Sequence, residues 1–123
     1  VAKWLWQDSG LMPADIDVVQ VYENFSAQVV ASLIDHGFCT HESAEEFIQM
    51  ENLIAPGGKL PMNTAGGNIG QGFIHGIGIA IESVRCLRGE SANPVPDAQT
   101  CLLAGGPGAP IVSSAIFTNQ EIK

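Results

Sequence analysis

The chain has 123 residues, 46% apolar and 15% charged, which fits one domain of about 100–200 residues and excludes a disordered segment. Lys and Arg number 5 against 13 Asp and Glu, a net charge of −8, so nucleic acid and anionic membrane surfaces are excluded as natural partners.

Ala2–Leu11 reads as a helix with Trp4, Leu5 and Leu11 on one apolar face, ended by Gly10 and Pro13. Asp15–Tyr22 reads as a strand, half buried at its Asp/Ile start and more buried along Val18-Val19-Gln20-Val21. Phe25, Val29, Leu33 and Ile34 recur at helical spacing, so Phe25–Gly37 reads as a helix packed on a sheet, with Glu23 or Asn24 as its cap. Ser43–Gln49 reads as a short connecting helix opened by the capping box Ser43-Ala44-Glu45-Glu46. From Ala55 to Gly72 the chain turns rich in Gly, Pro and Asn, then leads into a helix expected over Phe73–Leu87. Two further strands, Thr100–Ala104 and Ile111–Thr118, are joined by Gly105-Gly106-Pro107-Gly108.

The longest strongly apolar run, Phe73–Ile81, is interrupted by His75, Gly76 and Gly78 and falls far short of the roughly 20 residues of a membrane span. No signal-peptide pattern opens the chain, and Val1 in place of Met reads as a fragment or a processed product. Cys39, Cys86 and Cys101 are odd in number and match no zinc spacing. They read as reduced, mostly buried thiols of a cytosolic, cytoplasmic protein, and no metal site is expected.

Three stretches carry chemistry. In the first, Asn63-Thr64-Ala65-Gly66-Gly67-Asn68-Ile69-Gly70-Gln71-Gly72, glycines bring backbone N–H groups close to a ligand and a helix N-terminus follows. That combination suits a phosphate, a carboxylate or a developing oxyanion, the alternative being a plain tight turn. His75 lies beside this loop, either as a site residue or as a satisfied core histidine. The helix beyond it shows no polar face until Glu82. A helix apolar all round must be covered on both sides, so one side is expected to meet a second domain or subunit unless a small core encloses it. The second stretch is Tyr22-Glu23-Asn24-Phe25-Ser26, at a strand end where open α/β sheets bind ligands. Tyr22, the single tyrosine, is a candidate donor or acid/base, or else a packed aromatic. The third is Cys101-Leu102-Leu103-Ala104-Gly105-Gly106, where a thiol beside glycine amides is either activated or buried and inert. His36 ends the helix from Phe25 and suits its terminal carbonyls, and His41 falls in an exposed loop.

In this order the pieces resemble the C-terminal domain of the thiolase superfamily over nearly the whole chain, residues 1–123. The likeness rests on Gly10-Leu11-Met12-Pro13-Ala14-Asp15-Ile16-Asp17, on Tyr22-Glu23-Asn24-Phe25-Ser26 at the family's Asn-Glu-Ala-Phe position, on Asn63 with Gly66-Gly67, on Arg88-Gly89-Glu90 and on Gly105-Gly106. Gly72-Phe73-Ile74-His75-Gly76 is most similar to the junction in sterol-carrier-protein-type thiolases and lipid-transfer-protein-like acyl-CoA aldolases. The chain departs from ordinary thiolases: Phe73 stands at their Gly-His-Pro histidine, and Leu102 at their cysteine acid/base, with Cys101 one residue off. In the aldolase branch a tyrosine stands where Tyr22 does, and a second one stands where this chain has Phe73.

The resemblance implies an α/β fold, a five-stranded mixed sheet with helices on both faces, paired with an N-terminal domain into five layers. It implies retro-aldol cleavage of a β-hydroxyacyl-CoA, with a sterol-derived or other bulky acyl group. Tyr22 would be the base, with donors from His75 and the amides of Gly66, Gly67 and Gly106, while Asn63, Phe73 and Gly105 line the substrate. Coenzyme A enters only as part of the substrate, and no cofactor is expected. The implied partners are a thiolase N-terminal domain or subunit, a second copy in a homodimer, and a small acyl-CoA-binding protein of the OB-fold type. Two rivals stay open: an acyltransferase using an N-terminal cysteine with Cys101 or His75 as acid/base, and a non-catalytic acyl-CoA-binding or scaffold subunit.

Overall fold

A computed structural model describes residues 1–106 and 110–120. Its elements are α1 (Ala2–Ser9), a 3₁₀ turn (Pro13–Asp15), β1 (Val18–Val21), α2 (Ser26–Asp35), α3 (Ala44–Phe47), α4 (Met50–Leu53), α5 (Gly67–Gln71), α6 (Ile77–Arg88), β2 (Thr100–Gly105) and β3 (Ser113–Thr118).

The sheet runs β1-β2-β3. β1 and β2 are parallel, with Val18 opposite Cys101 and Val21 opposite Ala104. β2 and β3 form an antiparallel pair running from Thr100 opposite Thr118 to Gly105 opposite Ser113. The sheet is mixed, as expected, but the described residues hold three strands rather than five. Beyond β1 the chain makes a single parallel bridge, Val19 with Met62, through Val19 N–H to the Pro61 carbonyl and Asn63 N–H to the Val19 carbonyl, both at 3.0 Å. Pro61 has no N–H to donate, and Asn63 turns to a φ of 47°, so the pairing cannot continue. Of the expected Gly105-Gly106-Pro107-Gly108 connection, Pro107 and Gly108 lie outside the described residues.

Strand alternation divides the core. Val19, Val21, Leu102 and Ala104 pack with Val29 and Leu33 of α2, together with Ile16, Cys39 and Leu60. Val18 and Cys101 face the other way, onto Cys86 of α6 and Ala98. All four residues of β1 are buried, because helices cover both faces. A fully buried side chain such as Leu33 contributes about 1.5–3 kcal/mol.

β1 begins three residues later than its alternation suggests. Pro13 opens a 3₁₀ turn in which Asp15 Oδ2 accepts the Met12 N–H at 2.8 Å. Asp17 Oδ2 then accepts the N–H groups of Gln99 and Thr100, at 2.8 and 3.0 Å. The aspartates therefore tie turns rather than line the wet face of a strand. α2 stops at Asp35, with His36 as its C-cap and Phe25 as an exposed N-cap. Ser43 makes no side-chain cap to α3; its hydroxyl instead accepts the Thr40 N–H at 2.9 Å.

The long helix also starts later than expected. His75 takes φ 50° and Gly76 takes φ 84° as the N-cap, so α6 begins at Ile77 and ends at the left-handed Gly89. Part of the glycine stretch is itself helical, as α5. Within α6, Ile79, Glu82, Ser83 and Cys86 are buried, while Ile77 and Ile81 remain 53% and 44% exposed. Glu82, which reads in sequence as the start of a polar face, is 1% exposed. Its Oε1 accepts the hydroxyls of Thr64 at 2.7 Å and Ser91 at 2.6 Å. The side of α6 left uncovered by this chain is therefore the isoleucine side. No helix among the described residues is long and apolar enough to cross a membrane.

Candidate functional site

A cleft of about 470 Å³ opens beyond the C-terminal ends of β1 and β2, lined by Tyr22, Asn24, His75, Gly76, Gly105 and Gly106, with Leu103, Ile79, Ile111 and Ser113. Tyr22 follows β1 directly, and its N–H reaches the Ala104 carbonyl at 2.8 Å, one step beyond the strand. By alternation its side chain shares the α6 face with Val18 and Gln20. The Tyr22 ring meets Phe73 edge-on with centroids 6.3 Å apart, and Phe73 lies 4.7 Å from the His75 ring. Gly76 supports the Tyr22 ring: a Cβ there would lie 2.9 Å from Tyr22 Cδ2. Only glycine combines that approach with a φ of 84°.

In the helix expected over Phe73–Leu87, His75 falls in the first turn. It lies instead in an exposed, left-handed turn ahead of α6, beside Phe73, which is 59% exposed. Tyr22, Phe73, His75, Gly105 and Gly106 are thus brought together at one end of the sheet, on a side open to solvent in this chain.

The glycine loop goes elsewhere. The Asn63 side chain is engaged at both ends by one backbone residue: its Oδ1 accepts the Val21 N–H at 2.8 Å and its Nδ2 donates to the Val21 carbonyl at 3.1 Å. The Gly66 N–H donates to the Asn63 carbonyl at 2.7 Å. Gly67, at φ 62°, packs against the Glu23 carboxylate. Glu23 Oε1 accepts the Ile69 N–H at 3.1 Å, and Oε2 accepts from Asn68 Nδ2 at 3.2 Å. Asn63 and Gly66 border a separate cleft of about 650 Å³ beside α4. None of Asn63, Gly66 and Gly67 lines the cleft at Tyr22.

Cys101 is not in the cleft either. It is fully buried beneath α6, and burial pushes its thiol up to about 12. Burial also raises the Cys86 and Cys39 thiols. All three cysteines are free. His36 does what its helix-end position suggests: Nδ1 donates to the Ser32 carbonyl at 2.7 Å, which leaves Nε2 to accept from the Ser114 hydroxyl at 2.8 Å. Burial holds its imidazole below the usual value of 6.5. Among the described residues no group of three His, Cys, Asp or Glu side chains is placed to hold a metal ion.

Leu103 and Glu23 lie within the stretches that carry chemistry, but the sequence gives neither a role of its own. Leu103 was recoverable by counting back two residues from Gly105 along the same strand face. Glu23 reads in sequence as a candidate helix cap and as a member of the Tyr22–Ser26 stretch with no role of its own, because nothing in the linear sequence joins it to Asn68 and Ile69.

A family model described as thiolase C-terminal domain-like matches residues 3–118. A 17-hydroxy-3-oxo-4-pregnene-20-carboxyl-CoA lyase of Mycobacterium tuberculosis is 41% identical over 89% of this chain. A steroid side-chain-cleaving aldolase of Thermomonospora curvata is 40% identical over the same share. Sterol carrier protein 2 of Bos taurus is 30% identical over 82%. Among solved structures, an Ltp2-ChsH2(DUF35) aldolase superposes on 98% of this chain with a TM-score of 0.90 and 36% identity, and the match covers 31% of that chain. The chain spans 28% of the length of each of the first two relatives and 19% of the third.

Proposed function

The chain belongs to the thiolase C-terminal-domain-like family, and from that premise we propose that it is the C-terminal part of an acyl-CoA aldolase, cleaving a β-hydroxyacyl-CoA by retro-aldol chemistry. The observation that carries the reading is the cleft at the ends of β1 and β2, where Tyr22, His75 and the Gly105-Gly106 turn converge. Tyr22, acting as its phenolate, takes the proton of the β-hydroxyl and so becomes the phenol that later returns a proton to Cα. The released O–H electrons form the carbonyl, the Cα–Cβ bond breaks, and its electron pair passes into the thioester enolate. The His75 ring and the Gly106 amide are the donors for that enolate oxygen. A proton returned to Cα completes a shortened acyl-CoA, so no oxidant, reductant or cofactor is consumed.

Phe73, Leu103 and Ile111 offer the apolar wall that a bulky acyl group needs. The steroid substrates named in the two relatives at 40–41% identity make a sterol-derived side chain the favoured acyl group. The remainder of the enzyme is a thiolase N-terminal domain laid over the Ile77 and Ile81 side of α6, in a homodimer within the cytoplasm. An OB-fold acyl-CoA-binding protein is the proposed further partner. The acyltransferase alternative is weakened at Cys101, whose thiol is too buried to serve as an acid/base.

The test is Tyr22→Phe in the complete enzyme, assayed with a β-hydroxyacyl-CoA for release of the carbonyl product and the shortened thioester. Loss of a general base costs about 10²–10⁴-fold in kcat. Undiminished cleavage by Tyr22→Phe refutes the assignment.

A further inference from the structure

The loop that looks in sequence like an anion cradle already contains an anion. The Glu23 carboxylate sits against Gly67 and takes the Ile69 N–H, the third residue of α5, along with the Asn68 amide. A Cβ on Gly67 would also lie 3.0 Å from Asn63 Nδ2, so the slot closes unless residue 67 is glycine. An oxyanion brought to these amides would meet a carboxylate of like charge. The loop's glycines therefore serve an internal ligand.

That internal ligand joins two parts of the site. Glu23 is the residue after Tyr22, at the end of β1. α5, which it grips, leads through Gly72 straight into Phe73, Ile74 and His75. Asn63, just before α5, holds the backbone of Val21, the residue before Tyr22. The segment around Tyr22 is thus fastened to the α5 segment on both sides, by Asn63 before it and Glu23 after it. We propose that Glu23 is a positioning residue: its carboxylate locks α5 to the end of β1 and so sets the Tyr22 phenol against the Phe73–His75 turn. The proposal rests on the reading of Tyr22 as the base and deepens it.

The test is a double-mutant cycle in the complete enzyme: Glu23→Ala, Tyr22→Phe and the pair together, with Glu23→Gln beside them. If Glu23 acts by placing Tyr22, Glu23→Ala lowers kcat by about 10–100-fold, as a misplacement of the order of 1 Å does, and leaves KM little changed. Glu23→Gln keeps an acceptor for the Ile69 N–H and restores most of the rate. In the Tyr22→Phe background Glu23→Ala costs little more, because the group it positions is gone. Losses that add in full, a loss confined to KM, or an unaffected kcat in Glu23→Ala each overturn the positioning role. A fully active Tyr22→Phe fails the base assignment itself and is seen without reference to Glu23. Should Glu23→Ala not fold, Asn68→Ala removes one of the two bonds and enters the same cycle, with a smaller non-additive loss in kcat expected and a fully additive one decisive against.

Discussion

Replacing Asn63 tests whether one side chain serves as the neighbour that β1 otherwise lacks at its C-terminal end. Val21 is fully buried, and on that side its N–H and carbonyl meet the Asn63 amide, at 2.8 and 3.1 Å. In Asn63→Gly the buried N–H loses its acceptor, at about 1–3 kcal/mol, and the carbonyl loses a bond worth about 1 kcal/mol net. The sum is about 2–4 kcal/mol from a total stability of about 5–15 kcal/mol. Asn63→Ala adds the cost of a left-handed φ of 47°, about 1–2 kcal/mol for a residue with a Cβ. Asn63→Asp keeps the acceptor but turns a second oxygen onto the Val21 carbonyl, so it recovers little. Urea titration gives the differences directly. In a thermal melt, a domain of this size shifts by about 3–5 °C per kcal/mol, so Asn63→Gly lowers Tm by roughly 10 °C and Asn63→Ala by several degrees more. An Asn63→Gly protein within about 0.5 kcal/mol of the parent refutes the clamp. Equal stability of the Gly and Ala variants refutes the backbone part of the argument.

Burial holds the His36 imidazole below its ordinary value of 6.5, so the unfolded chain takes up a proton before the folded one does. The stability this contributes is fully present above pH 6.5 and is lost as pH falls from there toward the folded value. Melts between pH 8 and pH 5 should show that loss and show it flattened in His36→Gln; identical slopes would be fatal to the argument. With its thiol pushed up to about 12 by burial, Cys101 stays in the unreactive thiol form at pH 8. Peptide mapping after iodoacetamide treatment should find it unlabelled in the native protein and labelled in urea, and rapid native labelling would contradict the buried placement.

The parts legible in sequence are those where side-chain pattern and backbone agree. Val18–Val21 shows as a strand from its β-branched run, and Val29 and Leu33 show which face of α2 is buried. The start of α6 does not show, because Phe73, Ile74 and Ile77 keep an apolar rhythm through a stretch whose backbone is left-handed at His75 and Gly76. Periodicity reports which side chains are greasy and is blind to the sign of φ. Glu82 misleads for a related reason: a carboxylate reads as a wet face, and only the folded chain brings Thr64 and Ser91 to satisfy it. The glycine loop reads in sequence either as a cradle for a substrate anion or as a plain tight turn, and in the structure its amides face the Glu23 carboxylate. That the charge belongs to Glu23 depends on a contact spanning 46 residues of sequence, which no local pattern encodes.

The parallel pairing of β1 with β2 bears on the order of assembly. Asp17 opens β1, yet the Thr100 amide that it binds is made 83 residues later. The floor of the Tyr22 cleft is the meeting of these two strand ends, so during synthesis the cleft has no floor until β2 has left the ribosome. Contacts this distant in sequence also make for slow closure. In the interval the β1 edge that β2 will occupy is open, and Val19 and Val21 are sheltered by α2 with Ile16, Cys39 and Leu60 but without Leu102 and Ala104. A growing chain of this kind is most exposed to mispairing just before β2 arrives, and a ribosome stalled in the α6–β2 connection would hold it in that state.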